Sequence, residues 1–471
     1  MKSEIDYPRV KRFLELHLAD PAFRAEYQQT PELVLRRCGL DSTPGFIDEI
    51  FQTPARTAHQ SGHPYYQERS SRLKFIGDII QCLLHEPNQD RRFHLWRQRQ
   101  LNRVRAVSHS ELFQMLPHIS IAFELSQGCS GQCPFCCFAT QPLHGVFSAT
   151  TANRKLWREV LEMSRHIVGP VMRYGLCYYA TEPFDNPDYE TFVEDFHALN
   201  DWWPQLTTAK PLESPARIRN YIRMIGAQPL RSNMVRFSVT SLETLRKVHG
   251  EYSAEELDHV SLILNNPEST FKYSPAGRAR QLRADWQERG LDRPEKFYLP
   301  GTIACVSGFV VNLSARSIRL VAPCSPDEAH PQGLILFDEA GFSDAADFEA
   351  QMERMIARNM PDSPRPDTAL AFAPAFSLNK DSDGIALSSR FMTRRFPGDA
   401  NWVALAELIR SGRHTWSEIE RIFDDPFLTG YYLKPKVQSL FDCGLLLEKR
   451  IPKPQACSEE PVRTKQPRAA E

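Results

Sequence analysis

The chain has 471 residues, 42% of them hydrophobic, and its 57 Lys and Arg against 58 Asp and Glu leave a formal net charge of −1. That length suits about three domains with a sizeable core. Balanced charge gives no overall pull toward nucleic acid or a membrane surface, so neither is expected as a partner. The run from Met1 to Asp20 is too charged for the apolar core of a signal peptide. No stretch approaches the roughly 18 uninterrupted apolar residues of a spanning helix. Eleven cysteines, scattered apart from one group, fit a reducing cytoplasm, where thiols stay free or bind metal.

Residues 1–60 read as short helices, with Val10, Phe13, Leu14 and Leu18 on one face. Asp20-Pro21 and Thr30-Pro31 each set a capping side chain before a proline at the first helical position. Residues 61–117 read as a helical linker. Its six arginines, Arg91, Arg92, Arg97, Arg99, Arg103 and Arg105, suggest a solvated face, with contact to an acidic peptide segment as the alternative.

From 118 to 306 apolar runs alternate with helical patterns, the signature of βαβ units. Strands are expected at 119–125, 172–180, 204–209, 234–240, 258–264 and 300–306, with helices such as 151–166, 188–199 and 214–225 between them. Six such units predict an α/β fold built on a partial (β/α)6 TIM-type barrel, whose chemistry would collect at the C-terminal strand ends. Residues 307–360 predict an extension: a β-hairpin of Phe309–Leu313 and Ser317–Ala322, a strand at Leu334–Glu339, and a helix from about Asp344 to Asn359. Residues 361–399 read as a loop-rich connector.

A small winged-helix-like domain is expected over 400–451. Trp402, Leu405, Ala406 and Ile409 share a helical face, and Thr415-Trp-Ser-Glu418 is a capping box. Leu433, Val437, Leu440 and Phe441 mark a third helix, and Leu445–Leu447 a short strand. The tail, 452–471, has a disordered composition.

The densest chemistry lies in Cys129-Ser-Gly-Gln-Cys133-Pro-Phe-Cys136, directly after the first strand. Three thiolates on one short loop can hold three corners of a cubane [4Fe-4S] cluster, which normally takes four cysteines. The missing ligand would leave one iron open to a small molecule. Zinc sites usually show two ligand pairs; here His144 is the nearest histidine downstream, and Cys137 directly adjoins Cys136. The C-x3-C-x2-C spacing resembles that of the radical S-adenosylmethionine (SAM) enzymes, in which SAM chelates the open iron. Phe135 occupies the aromatic position before their third cysteine.

In that superfamily a second strand ends in Gly-Gly-Glu-Pro, which accepts the SAM amino group. Tyr178-Tyr-Ala-Thr-Glu182-Pro183 takes that place here, making Glu182 the candidate acceptor and replacing both glycines. Ser238, on the fourth strand, is a candidate SAM contact, and the neighbouring Arg236 could pair a carboxylate. Cys305 and Cys324 flank the hairpin. They read as auxiliary-cluster ligands, as a catalytic thiol, or as buried structural cysteines. Cys38, Cys82, Cys137, Cys177 and Cys443 read as structural.

Across Arg91 to Glu339 the chain resembles the radical SAM peptide epimerases that mature proteusin-type ribosomal peptides. The resemblance rests on Trp96-Arg-Gln-Arg-Gln100, Phe123-Glu-Leu-Ser-Gln-Gly-Cys129, Tyr179-Ala-Thr-Glu-Pro-Phe-Asp-Asn-Pro-Asp-Tyr189, Ala276-Gly-Arg-Ala-Arg280 and Gly301-Thr-Ile-Ala-Cys-Val-Ser-Gly-Phe309. It departs at Cys137, where glycine would be expected.

The resemblance implies that a cluster on Cys129, Cys133 and Cys136 reduces SAM, releasing a 5′-deoxyadenosyl radical. That radical would take the Cα hydrogen of an L-residue in a precursor peptide of leader and core. A thiol, Cys305 ahead of Cys324, would return hydrogen from the opposite face, giving the D-residue. An external electron donor of flavodoxin or ferredoxin type would supply the reducing electrons. The competing readings are a maturase forming thioether or carbon–carbon crosslinks, and a non-enzymatic metal-stabilised scaffold. The run Leu18-Ala-Asp-Pro-Ala-Phe-Arg24 is similar to the leaders of such precursors.

Overall fold

A computed structural model describes residues 5–53, 63–108, 110–226, 235–291, 293–297, 302–381 and 383–448. The fold is mixed α/β. Strand β1 (Ile119–Glu124) leads through β2 (Ser126–Gln127) and β3 (Gly145–Val146) to β4 (Leu206–Thr208), β5 (Val235–Val239) and β6 (Val260–Leu264). Then come β7 (Val306–Asn312), β8 (Ser317–Pro323) and β9 (Leu334–Gly341). Strands β4, β5 and β6 pair in parallel. So do β1 and β7, while β7, β8 and β9 run antiparallel. Single-residue bridges from Leu176 to Ala122 and to Gln205 link the two sheets.

Alternation within β1 sets its two faces. Ile121 and Phe123 join the helix-side core with Trp157 and Phe192, while Ala122 joins Leu176, Tyr178 and Val310 on the inner face. Helices Thr151–Val168, Tyr189–Asn200 and Pro215–Gly226 lie between the strands, as their amphipathic patterns require.

Two barrel expectations need correction. The run at 172–180 is no strand: a 3-10 turn spans Pro170–Tyr174 and only Leu176 bridges, because Pro170 and Gly175 break the extended path. Of the strand expected at 300–306, residues 300 and 301 lie outside the described residues, and 302–305 are not extended into a strand. Strand β7 instead begins at Val306 and pairs with β1, not with β6. The hairpin is formed by β7 and β8, followed by β9 and the helix Ala345–Asn359, capped by Asp344.

The arginine-rich helix, Arg91–Val107, is not simply a solvated face. Arg97 and Arg99 are 0% and 1% exposed. Arg97 bonds the carbonyls of Leu83 and His118, and Arg99 meets Glu448 at 2.7 Å.

The connector also differs from expectation. It carries an antiparallel meander, β10 (Ser377–Asp381), β11 (Gly384–Ser388) and β12 (Thr393–Pro397). Ile385 and Leu387 from that meander share a core with Trp402, Leu405, Ile409, Val437 and Leu440. The Thr415–Glu418 capping box is formed. Leu446 makes one bridge, to Phe372, where a strand was expected. The tail at 452–471 lies outside the described residues.

The N-terminal helices pack on the sheet's outer layer. Asp20 caps Pro21–Gln29 and pairs with Arg246 at 3.0 Å. Thr30 makes no capping bond with its side chain.

Candidate active site

The cysteine loop leaves the C-terminal end of β1 and is shaped by close backbone approaches. Gly128 has φ +81°, and a Cβ there would stand 2.2 Å from the Pro142 carbonyl oxygen. Gly277 has φ +54°, and its Cβ would stand 2.3 Å from the Cys137 carbonyl oxygen. Only glycine meets both demands.

Beside Gly277, Arg278 grips the loop. Its N–H donates to the Cys136 carbonyl at 2.9 Å, and its guanidinium donates to the carbonyls of Cys133 and Thr140 and to Gln132. On the other flank, Asp185 accepts from the Ser130 N–H at 2.8 Å and from its hydroxyl.

Cys129, Cys133 and Cys136 are half-buried and in no disulfide. A methyl placed on Gly131 would sit 3.4 Å from Cys129 Sγ and 3.6 Å from Cys133 Sγ. Burial pushes the Cys133 thiol up to about 12, and the charges of Cys129, Cys136 and Glu182 add to the effect. Thiolates so placed repel each other until a cation joins them.

Among the described residues no three His, Cys, Asp or Glu side chains converge tightly enough to hold one metal ion. A mononuclear zinc demands that convergence, with Zn–S bonds of about 2.3 Å. A cubane gives each thiolate its own iron, so it spans more widely spaced sulfurs. Three half-buried thiols on one clamped loop are of the ligand type a cluster takes.

Glu182 is 3% exposed. Its Oε2 accepts from the Ala209 N–H at 2.9 Å, at the C-terminal end of β4. Its Oε1 is buried without a hydrogen-bond partner among the described residues. Burial pushes the carboxyl up to about 7, against the opposing pull of the Thr208 hydroxyl and of the Ala209 and Phe184 N–H groups. An unpaired buried acceptor is costly and calls for a donor. Water, a hydroxyl or an ammonium group could each supply one.

The remaining expected residues scatter. Ser238 is 7% exposed on β5, opposite Ile263 of β6. Its neighbour Arg236 donates to Thr207 Oγ1 at 3.0 Å and to the Tyr178 hydroxyl at 3.4 Å. Phe135 stacks on Tyr273, with ring centroids 5.9 Å apart.

Cys305 and Cys324 flank the open end of the hairpin, beyond the pair of Gly308 and Val321. That end lies beside the start of β1, since the Ile119 N–H donates to the Cys305 carbonyl. Cys305 packs with Tyr178, Tyr179, Val306 and Phe138, the last only two residues beyond Cys136. Burial pushes its thiol up to about 11, with Arg236 acting against the shift. Cys324 is partly buried, and its N–H donates to the Gly333 carbonyl.

Sequence reasoning gave no role to Asp185, Gly277, Arg278 or Glu124. Buried Glu124 accepts from the Ala180 N–H, from Asn312 and from Arg319. Gly277 and Arg278 were visible only as an unexplained Ala-Gly-Arg run. Glu124 was hidden inside an apolar strand.

Fold and site together define a mixed α/β protein with a clamped three-thiol loop at a parallel strand end. No family profile matches the chain. It is 31% identical over 429 residues to the uncharacterized protein y4wI of Sinorhizobium fredii, covering 87% of this chain and 81% of that one. The chain belongs to the same family as y4wI. Among solved structures, BtrN in complex with AdoMet and 2-DOIA aligns with 42% of this chain and 71% of that one. The identity is 11% and the TM-score 0.25, too slight a likeness to bear on function. Among the described residues no helix is long and apolar enough to cross a membrane.

Proposed function

We propose that the chain is a radical SAM enzyme that epimerises L- to D-residues in a ribosomally made precursor peptide. The observation that carries this reading is the half-buried thiols around Gly131 together with the unpartnered buried Oε1 of Glu182. Cys129, Cys133 and Cys136 would hold a [4Fe-4S] cluster, and Glu182 would take the amino group of SAM. Bound together, the two cofactors would supply a 5′-deoxyadenosyl radical, with electrons from a flavodoxin- or ferredoxin-type donor.

Inversion asks for hydrogen removal on one face of the Cα and return on the other. A returning group must also keep its S–H, and a thiol held near 11 is almost wholly protonated at neutral pH.

The test is anaerobic reconstitution with iron and sulfide, then SAM, dithionite and precursor peptide in deuterated water. The expected result is 5′-deoxyadenosine and a peptide heavier by one deuterium per inverted residue. Absence of 5′-deoxyadenosine, or unchanged peptide mass without a D-residue, would overturn the reading. Cys305→Ala should still release 5′-deoxyadenosine but yield no D-residue. Iron for a second cluster would favour a crosslinking maturase instead.

A further inference from the structure

We propose that the groove between the first two helices and the helix Leu242–Glu251 seats an acidic, amphipathic segment of a peptide. The inference rests on the reading that the substrate is a peptide. The groove has a volume of about 550 Å³, within the range of about 300–1,000 Å³ that holds a compact ligand or a few residues of peptide. Its rim sets Arg9, Arg12, Arg37 and Arg246 against only Asp20 and Glu26.

Both carboxylates are already engaged. Asp20 pairs with Arg246 at 3.0 Å, and Glu26 takes both branches of Arg37 at 2.5 and 2.6 Å. That leaves Arg9 and Arg12, both in the field of Glu255. Arg9 is half-exposed and reaches Asp6 outside the groove. Arg12 donates to the Tyr252 carbonyl at 2.6 Å, has no carboxylate in ion-pair range among the described residues, and buries an unpartnered Nε.

The floor is apolar, with Phe13 and Phe23 set edge to face. A segment with carboxylates on one side and apolar residues on the other matches rim and floor together. A nucleic acid would need a longer, unmatched basic stripe. The position also suits a peptide bound for the site. The Leu18 and Ala19 carbonyls accept from the Thr270 N–H and from Asn266, on the loop leaving β6. Parallel pairing puts that loop at the same end of the sheet as Glu182.

The probe is a short fluorescein-labelled peptide with Leu at every third or fourth position and Glu elsewhere, titrated with the full chain and read by anisotropy. Its controls carry Lys in place of Glu, or are single-stranded oligothymidine. No iron or SAM is needed, so failure here is separable from failure of the activity. The Glu peptide should bind, weaken as salt rises, and lose about tenfold affinity in Arg9→Glu/Arg12→Glu. Arg9→Glu alone, at an exposed position, keeps the test valid if the double variant unfolds, and should cost about threefold. Equal binding of the Lys peptide, tighter binding of the oligonucleotide, no binding of the Glu peptide, or indifference to Arg9→Glu would each overturn the proposal.

Discussion

The cysteine loop and the C-terminal helical unit use the same materials to opposite ends. In the C-terminal unit buried charge is paired, although only through one oxygen of Glu448, its Oε2 making no hydrogen bond among the described residues. Glu448 takes Arg99 at 2.7 Å and Arg103 at 2.8 Å, and Arg103 also holds the Gly444 and Leu446 carbonyls. Gly444 comes so close that a Cβ would stand 2.4 Å from the Arg99 carbonyl oxygen. Around the cysteine loop the backbone is pinned just as firmly, yet functional atoms stay open: three thiols without a shared partner and one orphaned carboxylate oxygen. Rigid backbone around unsatisfied side chains is what a preorganised site requires. Rigid backbone around a carboxylate already paired with two guanidiniums is architecture.

The contrast breaks most sharply at Glu448. Glu448→Ala leaves Arg99, 1% exposed, without its carboxylate. The expected loss is about 3–5 kcal/mol in urea unfolding, with iron uptake by the folded fraction unchanged.

Glu182→Gln should act with the opposite sign. A carboxyl raised from 4.5 to about 7 binds its proton more tightly folded than unfolded. Its stabilising proton is fully bound in the folded chain below pH 4.5 and is lost as pH rises through about 7. In the metal-free protein the Gln variant should therefore gain stability above that range, by up to about 3 kcal/mol, and flatten the stability profile between. A variant profile identical to the parent's would show that Oε1 is solvated.

Gly131→Ala is the gentlest probe. Its methyl makes ordinary contacts with Cys129 and Cys133 Sγ, so stability should move by no more than about 1 kcal/mol. Iron content after reconstitution should nonetheless fall, because the methyl fills the space between the two sulfurs. Full iron with an intact visible absorbance band would separate those thiols from a common cluster.

Much of the site was legible because its chemistry is local. Three cysteines on one loop declare themselves by spacing, and Glu182 by following an apolar run. What stayed hidden depends on distant neighbours. Apolar content at 172–180 reports burial correctly, since Cys177 and Leu176 are in the core, but burial does not distinguish a strand from a 3-10 turn with one bridge. Chain order puts the sixth strand beside the fifth, and nothing in Val306–Asn312 says that it lies against β1. The meander at Ser377–Pro397 did carry a signal, Asp383-Gly384 ahead of alternating Ile385 and Leu387, overshadowed by the surrounding prolines. Arg97 and Arg99 read as solvated because charge predicts exposure; the carbonyls that hold Arg97 are 14 and 21 positions away, and the carboxylate that holds Arg99 is 349 away.

The clamp of Arg278 on the cysteine loop has a consequence for biogenesis. The guanidinium and the Cys133 carbonyl are 145 positions apart in sequence. During synthesis the three thiols would emerge well before the residues that shape their loop, and before β4 to β7 complete the sheet behind them. A nascent chain would carry reactive thiols with no fixed geometry, open to adventitious metals and oxidants. Faithful loading of iron would belong late in maturation, after the strand order has closed around β1.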